Sequence, residues 1–320
     1  MTHEFHTTRV SDAIRVYQQP PGTWGLGNAT LVLGSRSSLL IDTLNDVVGT
    51  DRMLSEFASL TADAPVSVIV NTSGDSDHTG GNQLFSELEI ISAAGAADLV
   101  RESDPSAMAQ VRRISSLMPS DMKVMMRLLT EGFEFGDIVP TPAGKVLAGD
   151  LTVDVSGRRA DILDLGAARS GGDAAVWIPE DRAIVAGDLV ASGVIPLAGE
   201  TPSAWLEALD RLAGLNAEVV IPGHGPIGGP ELIDVTREYV ELLHELVRRA
   251  LENDSKPKKV ISAVATDFLA SRFSDWQAPE RVAANVHHAW AAIDPTHKMP
   301  SPPVLISHMG WVLGKHFTDR

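Results

Sequence analysis

Between Asn71 and Asn82 the chain reads Asn-Thr-Ser-Gly-Asp-Ser-Asp-His-Thr-Gly-Gly-Asn, which sets Asp75, Asp77 and His78 almost side by side. Two carboxylates and an imidazole on one polar loop can converge on a single cation or a single substrate. The run before it, Val66 to Val70, is strongly apolar and rich in β-branched residues, as in a buried strand. The loop therefore hangs from a strand end, where α/β proteins place their sites. His244, His287, His288, His297, His308 and His316 read as surface or hydrogen-bonded core residues.

The elements that must carry these residues alternate in type. Ala13 to Tyr17, Thr30 to Leu33 and Leu39 to Ile41 are short apolar runs broken by Pro20-Pro21-Gly22 and Gly34-Ser35. A helix is expected from Thr50 to Leu60, with Met53, Leu54, Phe57 and Leu60 on one face, and another near Gly80. Strand rhythm returns at Leu151 to Val155, Ile162 to Leu165, Ala174 to Ile178, Ala183 to Ala186 and Val219 to Ile221, with a helix over Ser203 to Leu215. After Pro230 the pattern is helical, at Leu232 to Leu251, Val260 to Leu269 and Pro279 to Ala292. The end of the chain is proline-rich, then apolar at Val304 to Ile306 and Trp311 to Leu313. Such a tail suggests burial against a partner, so a homodimer through the C-terminal helices is expected.

Residues 104–131 differ in character, holding Met108, Met118, Met122, Met125 and Met126 among leucines and isoleucine. They read as a plain helical hairpin or as a pliable lid over a site, with Met118, Met122 and Ser73 touching substrate. Strands first, helices interspersed and a second strand-rich half predict two mixed β-sheets flanked by helices, an α/β fold with a C-terminal helical extension.

Composition narrows the partners. Acidic residues outnumber basic ones 42 to 26, for a net charge of −16, which repels phosphate backbones and anionic membranes. There are no cysteines, which excludes disulfides, thiolate ligands and a cysteine nucleophile. No signal-like apolar stretch is visible in Met1 to Val10 and no run is long enough to span a bilayer, so a cytoplasmic protein is expected.

The loop resembles the signature of the metallo-β-lactamase superfamily, His-x-His-x-Asp-His preceded by Asn-Thr and followed by Gly-Gly-Asn. Asp42, Ala168-Arg169-Ser170-Gly171-Gly172-Asp173, Ala186-Gly187-Asp188 and Pro222-Gly223-His224-Gly225 follow in that family's order. The resemblance implies a four-layer αβ/βα sandwich over residues 1–230, with 104–135 as a helical insert and 231–320 as the extension. It also assigns a first metal to the positions of Ser73, Asp75 and Arg169, where three histidines are missing. The second metal's residues, Asp77, His78, Asp188 and His224, are all present. Within this resemblance Asp42 reads as a carboxylate that supports other groups, Asp173 as a turn cap, and Arg169 equally as a structural plug in the vacated position, pairing with Asp75 or Asp188.

Three carboxylates in one pocket need compensation. Arg169 with one divalent ion balances Asp75, Asp77 and Asp188, and so does Arg169 with protonated His78 and His224. One zinc, manganese or iron, or no metal, therefore remain open. The resemblance implies hydrolysis of an ester, lactone, thioester or amide by metal-activated water, with Arg169 at the oxyanion. The alternatives are a metal-independent cyclase, lyase or decarboxylase of natural-product metabolism and a non-catalytic ligand binder. Asp75, Asp77, His78, Arg169 and His224 carry the chemistry in the catalytic readings, on a hydrophobic small molecule.

Overall fold

The computed structural model describes residues 5–199 and 201–317. β1 (His6–Arg9), β2 (Ile14–Gln18), β3 (Ala29–Leu33) and β4 (Ser38–Ile41) form an antiparallel meander. α1 (Val47–Thr61) then crosses over to β5 (Val66–Val70), which lies parallel to β4. The start of α1 is set by Asp46, whose side chain accepts the Gly49 amide and satisfies one of the free N–H groups of the first turn. A short helix, α2 (Ser76–Thr79), leads to β6 (Glu89–Ser92). α3 (Ala94–Glu102), α4 (Pro105–Ile114) and α5 (Ser120–Thr130) lead to β7 (Lys145–Val146), and β5, β6 and β7 run parallel.

A second sheet follows, with β8 (Leu151–Asp154), β9 (Arg159–Asp164), β10 (Ala174–Ile178) and β11 (Ala183–Gly187) each antiparallel to its neighbour. α6 (Pro202–Ala213) carries the chain to β12 (Val219–Pro222), which joins parallel to β11 at the edge. α7 (Glu231–Asn253), α8 (Pro257–Leu269), α9 (Arg281–Ile293) and α10 (Pro302–His316) follow.

Three apolar layers show how these elements stack. Val16, Val32, Ile41 and Val70 from the first sheet meet Ile162, Val176, Val185 and Ile221 from the second. Met53 and Phe57 of α1 cover the outer face of the first sheet, with Leu54 and Leu60 half-buried beside them. The outer face of the second sheet packs on α6 to α9 through Trp205, Leu209, Tyr239, Phe268 and Trp290. This is the expected four-layer sandwich of two mixed sheets flanked by helices. Each large side chain removed from water here contributes about 1.5–3 kcal/mol, which outweighs the weak intrinsic preference of any single strand.

Residues 104–131 do form a helical hairpin, α4 and α5. Met125 and Met126 of α5 are buried, and Met125 packs in the same apolar cluster as Met309 and Val312 of α10. The tail folds into α10 because Pro302 and Pro303 fall in its first turn, where no backbone donor is needed. Its Met309 and Val312, with Phe317 just beyond, are buried within the chain, whereas Val304 is 45% exposed and Leu305, Ile306, Trp311 and Leu313 are half-buried.

α9 and α10 are joined by a row of three imidazoles. His287 Nδ1 lies 3.0 Å from His297 Nε2, and its Nε2 lies 3.1 Å from His308 Nδ1, with the rings stacked nearly parallel. Each link needs one nitrogen to donate and the next to accept, and a neutral His287 meets both by donating to one neighbour and accepting from the other. Burial, and then His308, His297 and His288, push the His287 imidazole down to about 4 from 6.5. The unfolded chain therefore takes the proton first, and the stability contributed is complete above pH 6.5 and lost as pH falls toward 4. The loss expected between neutral and mildly acid pH is about 2 kcal/mol, reduced for residual solvation. Urea denaturation of the wild type and His287→Asn checks this, and an equal acid loss in both would refute it.

Candidate active site

The chemistry-bearing residues come together at the carboxyl ends of the strands. Asp42 follows β4, the loop with Asp75, Asp77 and His78 follows β5, Asp188 follows β11 and His224 follows β12. Arg169 enters from the β9–β10 loop. Two glycines permit the close approach. A Cβ on Gly187, at φ +53°, would lie 2.5 Å from Thr72 Oγ1, and one on Gly223 would lie 2.2 Å from Asp188 Oδ1.

Asp42 sets the first imidazole. It takes a left-handed backbone conformation (φ 64°) and accepts the Thr72 amide at 2.8 Å and the Thr72 hydroxyl at 2.7 Å. Its Oδ2 also lies 2.9 Å from His78 Nδ1. With Nδ1–H directed at Asp42, Nε2 turns inward, where it is buried 3.3 Å from Asp188 Oδ1 without a directed hydrogen bond. His224 is oriented the same way, its Nδ1 lying 3.0 Å from the carbonyls of both Gly22 and Leu26. Its Nε2 faces Asp77 Oδ2 and Asp188 Oδ1, each at 3.4 Å.

Asp188 is the hinge between two groups. Oδ1 faces both imidazoles, while Oδ2 lies 2.9 Å from Arg169 Nη2. The Arg169 guanidinium also donates to Asp75 through Nη1 and to the Leu197 carbonyl through Nε. Its loop is organised by Asp173, whose Oδ2 accepts the amides of Ala168, Arg169 and Ser170. So Asp173 does more than cap a turn.

The charges are mutually enforced. Burial opposes ionisation of Asp77, yet the hydrogen bond and charge of His224, aided by His78, hold its carboxyl well below the usual range. Burial likewise opposes Asp188, and His224, Arg169 and His78 override it. Burial would lower the proton affinity of His78, but Asp188 and Asp42 hold it well above the ordinary value. Arg169, buried among Asp188, Asp75 and Asp173, keeps its proton more firmly than a free arginine.

The residues fit a metal. Asp77, His78 and His224 each offer one ligand atom, and the three atoms lie within 4.8 Å of one another. An oxygen–nitrogen set of this kind suits zinc, and manganese or iron as well. On the other side of Asp188, the positions Ser73, Asp75 and Arg169 hold an ion pair in which arginine supplies the positive charge. Ser73 is buried, its hydroxyl accepting the Asp75 amide.

These groups open onto a cavity of about 200 Å³. Its walls include Asp75, Asp77, Arg169, Asp188 and His224, together with Trp24, Asn45, Met108, Leu129, Phe135, Leu197 and Arg281. Met108 supplies the methionine of the hairpin; Met118, Met122 and Ser73 are not among the lining residues. Trp24 and Arg281 carry no motif and stand in unrelated parts of the sequence, so only the fold reveals them.

The model of the metallo-beta-lactamase superfamily matches residues 22–224. The chain belongs to this superfamily. A linear primary-alkylsulfatase of Pseudomonas sp. (strain ATCC 19151) is 20% identical over 314 residues, covering 85% of this chain and 58% of that protein. A type 2 metallo-beta-lactamase of Bacteroides fragilis is 29% identical over 113 residues, covering 33% of this chain and 43% of its own length. The chain thus spans about half the length of these relatives. A metallo-beta-lactamase family protein of Thermus thermophilus has the same fold, with a TM-score of 0.64 at 20% identity. That match covers 92% of this chain and 98% of that structure. The metallo-beta-lactamase of Pontibacter korlensis overlays with a TM-score of 0.55 at 18% identity, over 74% of this chain and 99% of the other. Superfamily membership agrees with the placing of Asp42, Asp77, His78, Asp188 and His224 at strand ends within residues 22–224.

Proposed function

We propose that this protein is a hydrolase of an ester, thioester or lactone on a hydrophobic small molecule, working with a single divalent metal, zinc by preference. The observation that carries this reading is the pair of imidazoles locked with Nδ1 outward and Nε2 turned toward Asp77 and Asp188. Asp77, His78, Asp188 and His224 would hold the ion. A bound divalent cation supplies Lewis acidity and lowers the pKa of water.

The chain's own groups do the rest. Arg169 keeps a full positive charge inside the cavity, and each terminal nitrogen carries a second hydrogen beyond those directed at Asp75 and Asp188. Those donors suit a carbonyl oxygen as it gains charge. Asp75, more exposed than Asp188, orients Arg169 from the open side. Met108, Leu129, Phe135 and Leu197 give the cavity an apolar wall. Trp24 also lines a neighbouring cavity of about 480 Å³, where Leu26, Val48, Leu128 and Phe133 could receive an apolar chain. The named relatives, an alkylsulfatase and a β-lactamase, favour hydrolysis over other chemistries.

Metal content by inductively coupled plasma mass spectrometry tests the reading directly. The wild type should carry about one equivalent of zinc, manganese or iron, and Asp77→Ala should carry none. Ester hydrolysis should vanish with the metal on chelation. Metal-free wild type after incubation with excess divalent ions would sink the mechanism and leave Arg169 with the histidines as a metal-independent lyase or binding centre.

A further inference from the structure

Arg281 opens α9, outside the stretch matched by the superfamily, yet it lines the same cavity as Asp77, Arg169, Asp188 and His224. It is 4% exposed. Its guanidinium lies over the Trp24 indole, 4.3 Å from the ring centroid, and Nη1 donates to the Ile195 carbonyl at 3.0 Å. The indole is itself held by a hydrogen bond from Trp24 Nε1 to buried Glu280. The platform is therefore rigid.

The cation on it is not satisfied. Arg281 Nε is buried with no hydrogen-bond partner, and among the described residues Arg281 forms no salt bridge. Burial makes its proton easier to lose than an ordinary arginine's; Glu280, Asp77 and Asp188 offset this only in part and Arg169 adds repulsion. Arg169 in the same cavity has two carboxylates and a carbonyl. A buried donor without an acceptor is costly, and a planar fork of donors matches a two-oxygen anion. The apolar wall of Met108, Leu129, Phe135 and Leu197 lines the same cavity.

We propose that Arg281 is the receptor for an anionic oxygen group on the substrate, so that the substrate is an amphiphile with a charged head beside its apolar chain. This deepens the hydrolase reading and rests on it for its meaning, but it is measured as equilibrium binding, so the two can fail separately. The probes are 1-decanesulfonate, a weak ligand for divalent metals, and decyl methyl sulfone, its neutral counterpart. Both are titrated into the metal-loaded protein by calorimetry.

The wild type should bind the sulfonate about tenfold or more tightly than the sulfone. In Arg281→Gln that preference should fall below about threefold while sulfone affinity stays unchanged, and Arg281→Lys should recover part of it. Equal affinity for the two probes in the wild type would overturn the proposal. So would a preference that survives in Arg281→Gln, which would put the anion on Arg169 or the metal. Loss of sulfone binding in the same variant would also overturn it, leaving Arg281 as a clamp on Trp24 and Glu280.

Discussion

Replacing Arg169 by methionine is expected to cost about 3–5 kcal/mol of stability and about a hundredfold or more in turnover. The guanidinium is 6% exposed and faces Asp188 at 2.9 Å and Asp75 on its other terminal nitrogen. Methionine fills much of the volume but leaves those carboxylates facing each other across an apolar side chain. Breaking a buried pair by removing one partner is costly because the other charge stays behind. The turnover loss is separate, arising from the donors that would meet the developing oxyanion. Arg169→Lys divides the two effects, since it keeps a charge but cannot span both carboxylates. It should recover most of the stability and little of the turnover. Urea denaturation and kcat on a panel of p-nitrophenyl esters measure each. A methionine variant that melts and turns over like the wild type would remove Arg169 from any central role.

The second large effect is expected at Asp42, which is neither a lining residue of the cavity nor one of the ligand set. Asp42→Ala removes the acceptor for the Thr72 amide, the Thr72 hydroxyl and His78 Nδ1–H together, leaving buried donors unmet at a cost of about 3 kcal/mol or more. Asp42→Asn is the sharper test. It preserves shape but can present an NH₂ group to His78, which favours the tautomer with Nε2 protonated and so spoils the ligand. Metal affinity should fall about 10- to 100-fold while the fold persists. Competition with a chromogenic chelator reads the affinity, and circular dichroism the fold. Unchanged metal affinity in Asp42→Asn would mean that His78 is not a ligand or is oriented by something else.

Much of the architecture is legible in the residues. The apolar runs at Ala13–Tyr17, Leu39–Ile41, Val66–Val70 and Ala174–Ile178 correspond to β2, β4, β5 and β10, because strands packed within a layered core are largely apolar. Short edge segments such as β1 and β7 are not legible, since two to four mostly exposed residues carry no period. The tail is only partly legible: its apolar residues announce burial, but that its prolines open a helix and that α10 folds against α5 of the same chain come from the fold.

Within the site, the loop after β5 names Asp75, Asp77 and His78 by residue type and spacing, whereas Arg169, Asp188 and His224 are named by the resemblance to the superfamily's ordered motifs. What those residues do to one another is decided by the tertiary structure. Only the sandwich brings Asp188 between the imidazoles and Arg169, and only packing turns Met108 to the cavity while Met125 and Met126 go to the core. Arg281 shows the limit most plainly. It stands far along the chain from Trp24, and neither carries a pattern, because a stacking contact between distant elements leaves no trace in local spacing. The sequence by itself determined which ionisable groups are available; the fold determined which of them are paired, and it placed Arg281 in the cavity with no salt bridge among the described residues.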